Sequence, residues 1–234
     1  MRQLFFAGVA FLATGILAAA EKKPILEVEQ DAMLVDTQPE VLGVPADHFT
    51  VYWWIPHEFW QVSFAHDEAL TDAAREELLE SMDNVSVLAV VQADIGLLGN
   101  FDFYSKEEIK RNVALSFTGA DGQAQRLPLL EVVDPELQLF LDGMKPILSA
   151  SMGPMGENFH FFVLSDDTET GERTLNPYEE GKITIELLTR DEERMKSELY
   201  LPLNSLFVPR KCPNGRDAHV TWKFCPWTGQ PLED

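Results

Sequence analysis

The chain has 234 residues, 45% hydrophobic and 10% aromatic, enough apolar surface for a sizeable core and too much for a wholly disordered chain. Against 18 Lys and Arg stand 39 Asp and Glu, a formal charge of −21 with a pI near 4.5. That is the opposite of the positive footprint that phosphate backbones require, so no nucleic acid is expected as a partner. Such an excess of acid serves solubility and self-repulsion; the functional alternative is a surface for cations or a basic partner.

Met1-Arg2-Gln3 sets one cation ahead of an uncharged run from Leu4 to Leu17, closed by Ala18-Ala19-Ala20 before Glu21-Lys22-Lys23-Pro24. This is the three-part plan of a secretory signal peptide over residues 1–20. The run is shorter than the roughly 20 residues of a membrane span, and Ala18 and Ala20 supply small side chains for a signal peptidase. The expectation is cleavage before Glu21 and a secreted or periplasmic protein with no stable membrane span after cleavage. The alternative is an uncleaved anchor.

Residues 21–47, with Pro24, Pro39, Gly43 and Pro45 among many acids, read as an extended N-terminal arm offering one edge strand. Phe49 to Ile55 alternates as a strand apolar on both faces, stopped by Pro56, and Phe59 to Phe64 reads as a second β-like run. Leu70, Ala74, Leu78 and Met82 form a helical stripe behind Thr71 and Asp72 as caps. Val85 to Val91 has the composition of a strand buried on both faces. Ser105-Lys106-Glu107-Glu108 has the spacing of a capping box. Val113 to Thr118, the turn at Asp121-Gly122, and Leu127 with Leu129 read as a hairpin.

Asp134-Pro135-Glu136 reads as a cap, a first-turn proline and an acid on the positive helix end. The helix that follows is predicted to pack on a sheet through Phe140 and Leu141 and to stop or kink at Pro146. Strands are predicted at Phe159 to Leu164, Lys182 to Leu188 and Glu198 to Leu203. The pattern predicts an α+β, β-rich fold with a sandwich-like sheet core and two or three inserted helices, spanning residues 48–208 as one domain.

Residues 209–234 form a distinct tail. Lys211-Cys212-Pro213-Asn214-Gly215 is followed, thirteen residues after the first Cys, by Phe224-Cys225-Pro226-Trp227-Thr228-Gly229. Over about residues 211–229 this resembles a degenerate zinc ribbon, whose paired Cys-Pro-x-Cys-Gly turns offer four thiolates to one metal. Only Cys212 and Cys225 match the ligand positions, because Thr228 stands where the second turn needs a Cys and Gly215 where the first does. His219 is a third candidate ligand at a spacing that fits no established site. An oxidising compartment and exactly two cysteines favour a Cys212–Cys225 disulfide over zinc or free thiols. No metal and no cofactor are expected. Trp222, Phe224 and Trp227 are predicted to pack the tail on the body.

Tyr52-Trp53-Trp54-Ile55-Pro56-His57-Glu58-Phe59-Trp60 holds three of the five tryptophans. Trp53, Trp54 and Trp60 with His57 and Glu58 are candidate ligand contacts, because Trp is large, rigid and polar at one edge; the alternative is an aromatic sheet core. His57, Glu58, His66 and Asp67 invite an acid/base or metal reading, yet Gln61 breaks the His-Glu-x-x-His pattern. Asp166 to Glu172 has the composition of a calcium loop without its ligand spacing. Asn84-Val85-Ser86 fits a glycosylation sequon at the start of a buried strand. Nucleophile-elbow, P-loop and dinucleotide motifs are absent. Two functions follow: an exported, non-catalytic module that binds a protein or envelope component, or a secreted hydrolase with a His/carboxylate site in a Trp-lined cleft.

Overall fold

A computed structural model describes residues 20–65, 67–167 and 173–232; the signal-like residues 1–19, His66 and the acidic stretch 168–172 lie outside them. The described chain is α+β and β-rich, as the sequence predicts, but with six helices, α1 to α6, in place of two or three.

The first departure is in residues 21–47. These hold helix α1 (Gln30–Thr37) before the short edge strand β1 (Val41–Leu42). Met33 and Thr37, one turn apart, are buried, so two anchoring contacts fix a helix whose apolar periodicity is otherwise weak. Thr37 Oγ1 donates to the Met33 carbonyl and accepts the indole N–H of Trp53.

Strand β2 (His48–Ile55) pairs antiparallel along its length with the eleven-residue β3 (Val85–Ile95). The other edge of β3 is shared by β4 (Phe101–Phe103) and β7 (His160–Ser165). From Ser86 to Ala93 every β3 side chain is buried, the state its unbroken apolar run implies. A second sheet has the order β1-β9-β8-β5-β6, all antiparallel. Its other strands are β5 (Val113–Gly119), β6 (Ala124–Leu127), β8 (Gly181–Leu188) and β9 (Arg194–Leu201). On β8 and β9, Ile183, Ile185, Leu187, Met195, Leu199 and Leu201 are buried while their neighbours reach water, a one-face-in alternation. Residues of both sheets share one core. Gln92 of β3 ties them by donating to the Leu188 carbonyl.

The segment from Phe59 to Phe64, expected as a second β-like run, lies in helix α2 (His57–Ala65), with Phe59, Trp60, Val62 and Phe64 buried. Helical spacing stacks Trp60 on Phe64 at 5.9 Å and sets Phe59 edge-on to Trp53 at 5.1 Å. Helices α3 (Asp72–Glu80) and α4 (Lys106–Asn112) start at Thr71 and Ser105, and Ser105 with Glu108 completes the capping box. Helix α5 (Pro135–Met152) begins at its Asp134 cap and runs through Pro146 instead of ending there. Its Leu141 is buried, and the Phe140 ring meets Trp60 and Phe64 of α2, at 5.2 and 5.7 Å. The four-residue α6 (Pro154–Glu157) folds back on α5, where a Cβ on Gly156 would stand 2.0 Å from the Leu148 carbonyl oxygen.

Candidate functional site

Three groups of chemistry-bearing side chains stand out. The first is the tryptophan segment. Trp54 and Trp60 are buried, and the Trp54 indole N–H donates to Ser86 Oγ. Trp53 is half-buried and spends its N–H on Thr37. The five residues singled out as ligand contacts therefore sit on two elements, β2 and α2; Trp54 and Trp60 belong to the core, Trp53 packs against it, and Glu58 is buried in the ion pair with Arg173. His57 Nδ1 lies 3.4 Å from the Met82 carbonyl and 3.7 Å from Asp83. Glu58 is buried and accepts from Arg173, whose guanidinium also donates twice to Asp166, at 2.9 and 3.0 Å.

Asp166 is wholly buried and additionally accepts the Leu175 N–H. Burial pushes its carboxyl up against the pull of Arg173, while the two carboxylates raise the Arg173 guanidinium despite its own desolvation. The arrangement braces α2 against the chain after β7. His57 and Glu58 are adjacent in sequence but are directed to different partners. Asp67 caps a local turn by accepting the Ala69 N–H. Ser86 of the sequon is buried, and Asn84 stands exposed at φ +59°.

A second group, which the sequence reading missed, centres on Arg190 in the turn after β8. Its guanidinium meets Asp94 at 2.8 Å, Asp102 at 2.9 Å and Glu108 at 3.0 Å, and lies 4.1 Å from the Tyr104 ring centroid. Tyr104 Oη donates to Asp94 and accepts the Arg190 N–H. His48 Nδ1 stands 2.9 Å from the same Asp94, and its Nε2 3.1 Å from the Gln92 amide. Hydrogen bonds from Arg190 and Ser105 hold the Glu108 carboxyl down to about 2, and burial lifts the Tyr104 phenol to about 12. The only sequence signal was Glu108 in its capping box; the other carboxylates come from separate strands. Beside this cluster lies an open groove of about 370 Å³, lined by His48 and by Asp47, Asp94, Asp102, Asp191 and Glu193.

The third group is the tail. Strands β10 (Arg210–Lys211) and β11 (Asp217–Ala218) pair around the first Cys-Pro turn. Cys212 N–H donates to Arg216 and its carbonyl accepts from Gly215; Cys225 N–H donates to Gln230 and its carbonyl accepts from Gly229. Gly215 and Gly229 have φ +81° and +69°, which a side chain would strain. The two turns, the second one residue longer than the first, set the thiols within hydrogen-bonding reach of each other, both buried and both free.

Burial lifts Cys212 to about 11. Cys225 feels the same burial, but hydrogen bonds from Cys212, Thr228 and the Trp227 and Thr228 amides outweigh it and bring the thiol down to about 7. Ala218, Trp222 and Leu232 complete a small core of the tail's own. Phe224 and Trp227 are exposed instead of packing on the body. His219 engages Thr221.

Among the described residues, no cluster of three or more His, Cys, Asp or Glu side chains is disposed to hold a metal, and no helix is long and apolar enough to cross a membrane. Comparison with family models, with curated proteins and with solved structures returns no match to this chain.

Proposed function

We propose that the chain is an exported, non-catalytic module that binds a protein or envelope component through its surface, with a C-terminal tail closed by a Cys212–Cys225 disulfide. The observation that carries this reading is where the candidate catalytic groups are spent. Glu58 is buried with one oxygen held by Arg173, Trp54 and Trp60 fill the core, and His57 is turned to a backbone carbonyl and Asp83. A general acid or base must reach substrate through open space, and Glu58 is buried, with one oxygen held by Arg173 in an ion pair that serves the fold and the other without a partner among the described residues. Export to an oxidising compartment supports the disulfide. Cys225, as thiolate, attacks an external disulfide oxidant; Cys212 then displaces that oxidant's thiol, so the pair loses two protons and two electrons to it.

The test is a hydrolytic screen of the purified chain with fluorogenic esters, glycosides and peptides, beside a His57→Ala/Glu58→Gln variant. The expected result is the same background for both. An activity present in the chain and lost in a still-folded variant overturns the reading in favour of a hydrolase.

A further inference from the structure

Leu97 and Leu98 are the most exposed large apolar side chains among the described residues, at 106% and 95% of full accessibility. They stand at the tip of the β3–β4 hairpin, between Gly96 and Gly99. The tip is built, not loose: Gly96 N–H donates to the Asn100 carbonyl and Gly99 N–H to the Gly96 carbonyl, both within 2.9 Å. Gly99 has φ +76°, a conformation that a side chain would strain, and the Asn100 side chain packs where a Cβ on Gly96 would stand. Behind the tip, Phe101 is 41% exposed and stacks on Phe103, with Phe49 edge-on. Two leucines presented to water on a fixed turn do nothing for the fold, and contiguous exposed apolar surface marks an interaction site.

The surroundings identify the partner's chemistry. Gly96 and Asn100 also line the acidic groove beside the Arg190 cluster. There, one guanidinium serves Asp94, Asp102 and Glu108, while Asp47, Asp191 and Glu193 have no cationic partner among the described residues. An apolar tip next to a groove of one sign favours a cationic counterpart and repels an anionic one. An anionic bilayer and a second copy of this chain, at −21, are both disfavoured by that field.

We propose, resting on the binding-module reading, that the β3–β4 hairpin docks on a basic protein partner: Leu97 and Leu98 enter an apolar pocket, and Lys or Arg side chains at its rim meet the Asp47, Asp191 and Glu193 groove. The leucines supply most of the affinity and the acids steer and orient the encounter.

The experiment places a photo-crosslinking residue at Leu98, and separately at exposed Gln123 as control, in the full chain expressed in its host. The captured protein is purified and its affinity measured for the chain and for a Leu97→Ser/Leu98→Ser variant at low and high salt. Because both side chains are free of packing, the variant folds as the parent does, which circular dichroism verifies. The account expects a protein adduct from position 98 and none from 123. It also expects an affinity loss of about tenfold or more in the variant and weaker binding in high salt.

Lipid adducts at 98, leucine-dependent binding to phosphatidylcholine/phosphatidylglycerol vesicles, adducts no different from those at 123, or a salt-independent affinity would each overturn it. If the partner is instead captured only through other surface positions, this docking inference fails while the binding-module reading stands. A hydrolytic activity lost in the His57→Ala/Glu58→Gln variant defeats that reading on its own.

Discussion

Arg190 shows how much a single side chain organises here. It joins a β-turn to a strand, a hairpin and a helix start by contacting Asp94, Asp102 and Glu108. The Glu108 carboxyl, held at about 2 in the fold against an ordinary 4.5, is depressed, so its contribution is fully present above about pH 4.5. It is lost as pH falls from there towards 2. After allowance for solvent screening, that contribution is on the order of 1–2 kcal/mol. Urea melts across this window should lose that stability in the parent and lose less of it in Glu108→Gln, which keeps the hydrogen bond from the Ser105 N–H but not the charge. Equal acid sensitivity in both would show that Arg190 does not hold Glu108 as described. Ser197 Oγ, buried in β9, has no partner among the described residues. Ser197→Ala is expected to leave stability unchanged or raise it by up to about 1 kcal/mol, read as the denaturation midpoint; a loss of more than about 1 kcal/mol would mean that the hydroxyl is satisfied.

At the scale of elements, local chemistry was legible wherever it was self-contained. The Ser105 and Asp134 caps, the Gly122 turn and the buried run of β3 sit where the sequence puts them. It was not legible where tertiary contacts decide. Phe59 to Phe64 reads as a strand because Trp60, Val62 and Phe64 alternate with Gln61 and Ser63; the core against Trp53 and Phe140 selects the helix. Helix α1 likewise depends on Met33 and Thr37 finding partners far along the chain. Of the candidate site, the two cysteines were legible as a pair, whereas the Arg190 cluster was invisible because its carboxylates come from separate elements.

The α5–α6 contact gives an element-scale test. Gly156→Ala would drive a methyl into the Leu148 carbonyl, and a backbone cannot yield as a side chain does, so the expected cost is about 2 kcal/mol or more. A change below about 0.5 kcal/mol in thermal or denaturant melts would place α6 elsewhere. For the tail, closing the thirteen-residue Cys212–Cys225 loop should add about 3 kcal/mol in the chain-entropy model. Alkylation and mass analysis of unreduced protein from the native host is expected to find no free thiol, and reduction to loosen the tail before the body. Two alkylated thiols without reduction, or stoichiometric zinc, would contradict the disulfide.

Over the whole molecule, the two sheets and the helices share one core, and the tryptophan segment belongs to it. A ligand platform and a structural core make opposite demands on the same rings: one needs water-facing faces, the other excludes water. On the proposed binding-module reading, a partner meets the chain at its surface, where the Leu97-Leu98 tip and the acidic groove lie. Tryptophan fluorescence tests this most directly in a Trp222→Phe/Trp227→Phe variant, which leaves Trp53, Trp54 and Trp60 as the only emitters. The account predicts blue-shifted emission, acrylamide quenching weaker than in the parent, and no response to added sugars or peptides. Red-shifted, readily quenched emission that changes on adding a sugar or peptide would contradict it and return the site to a Trp-lined cleft.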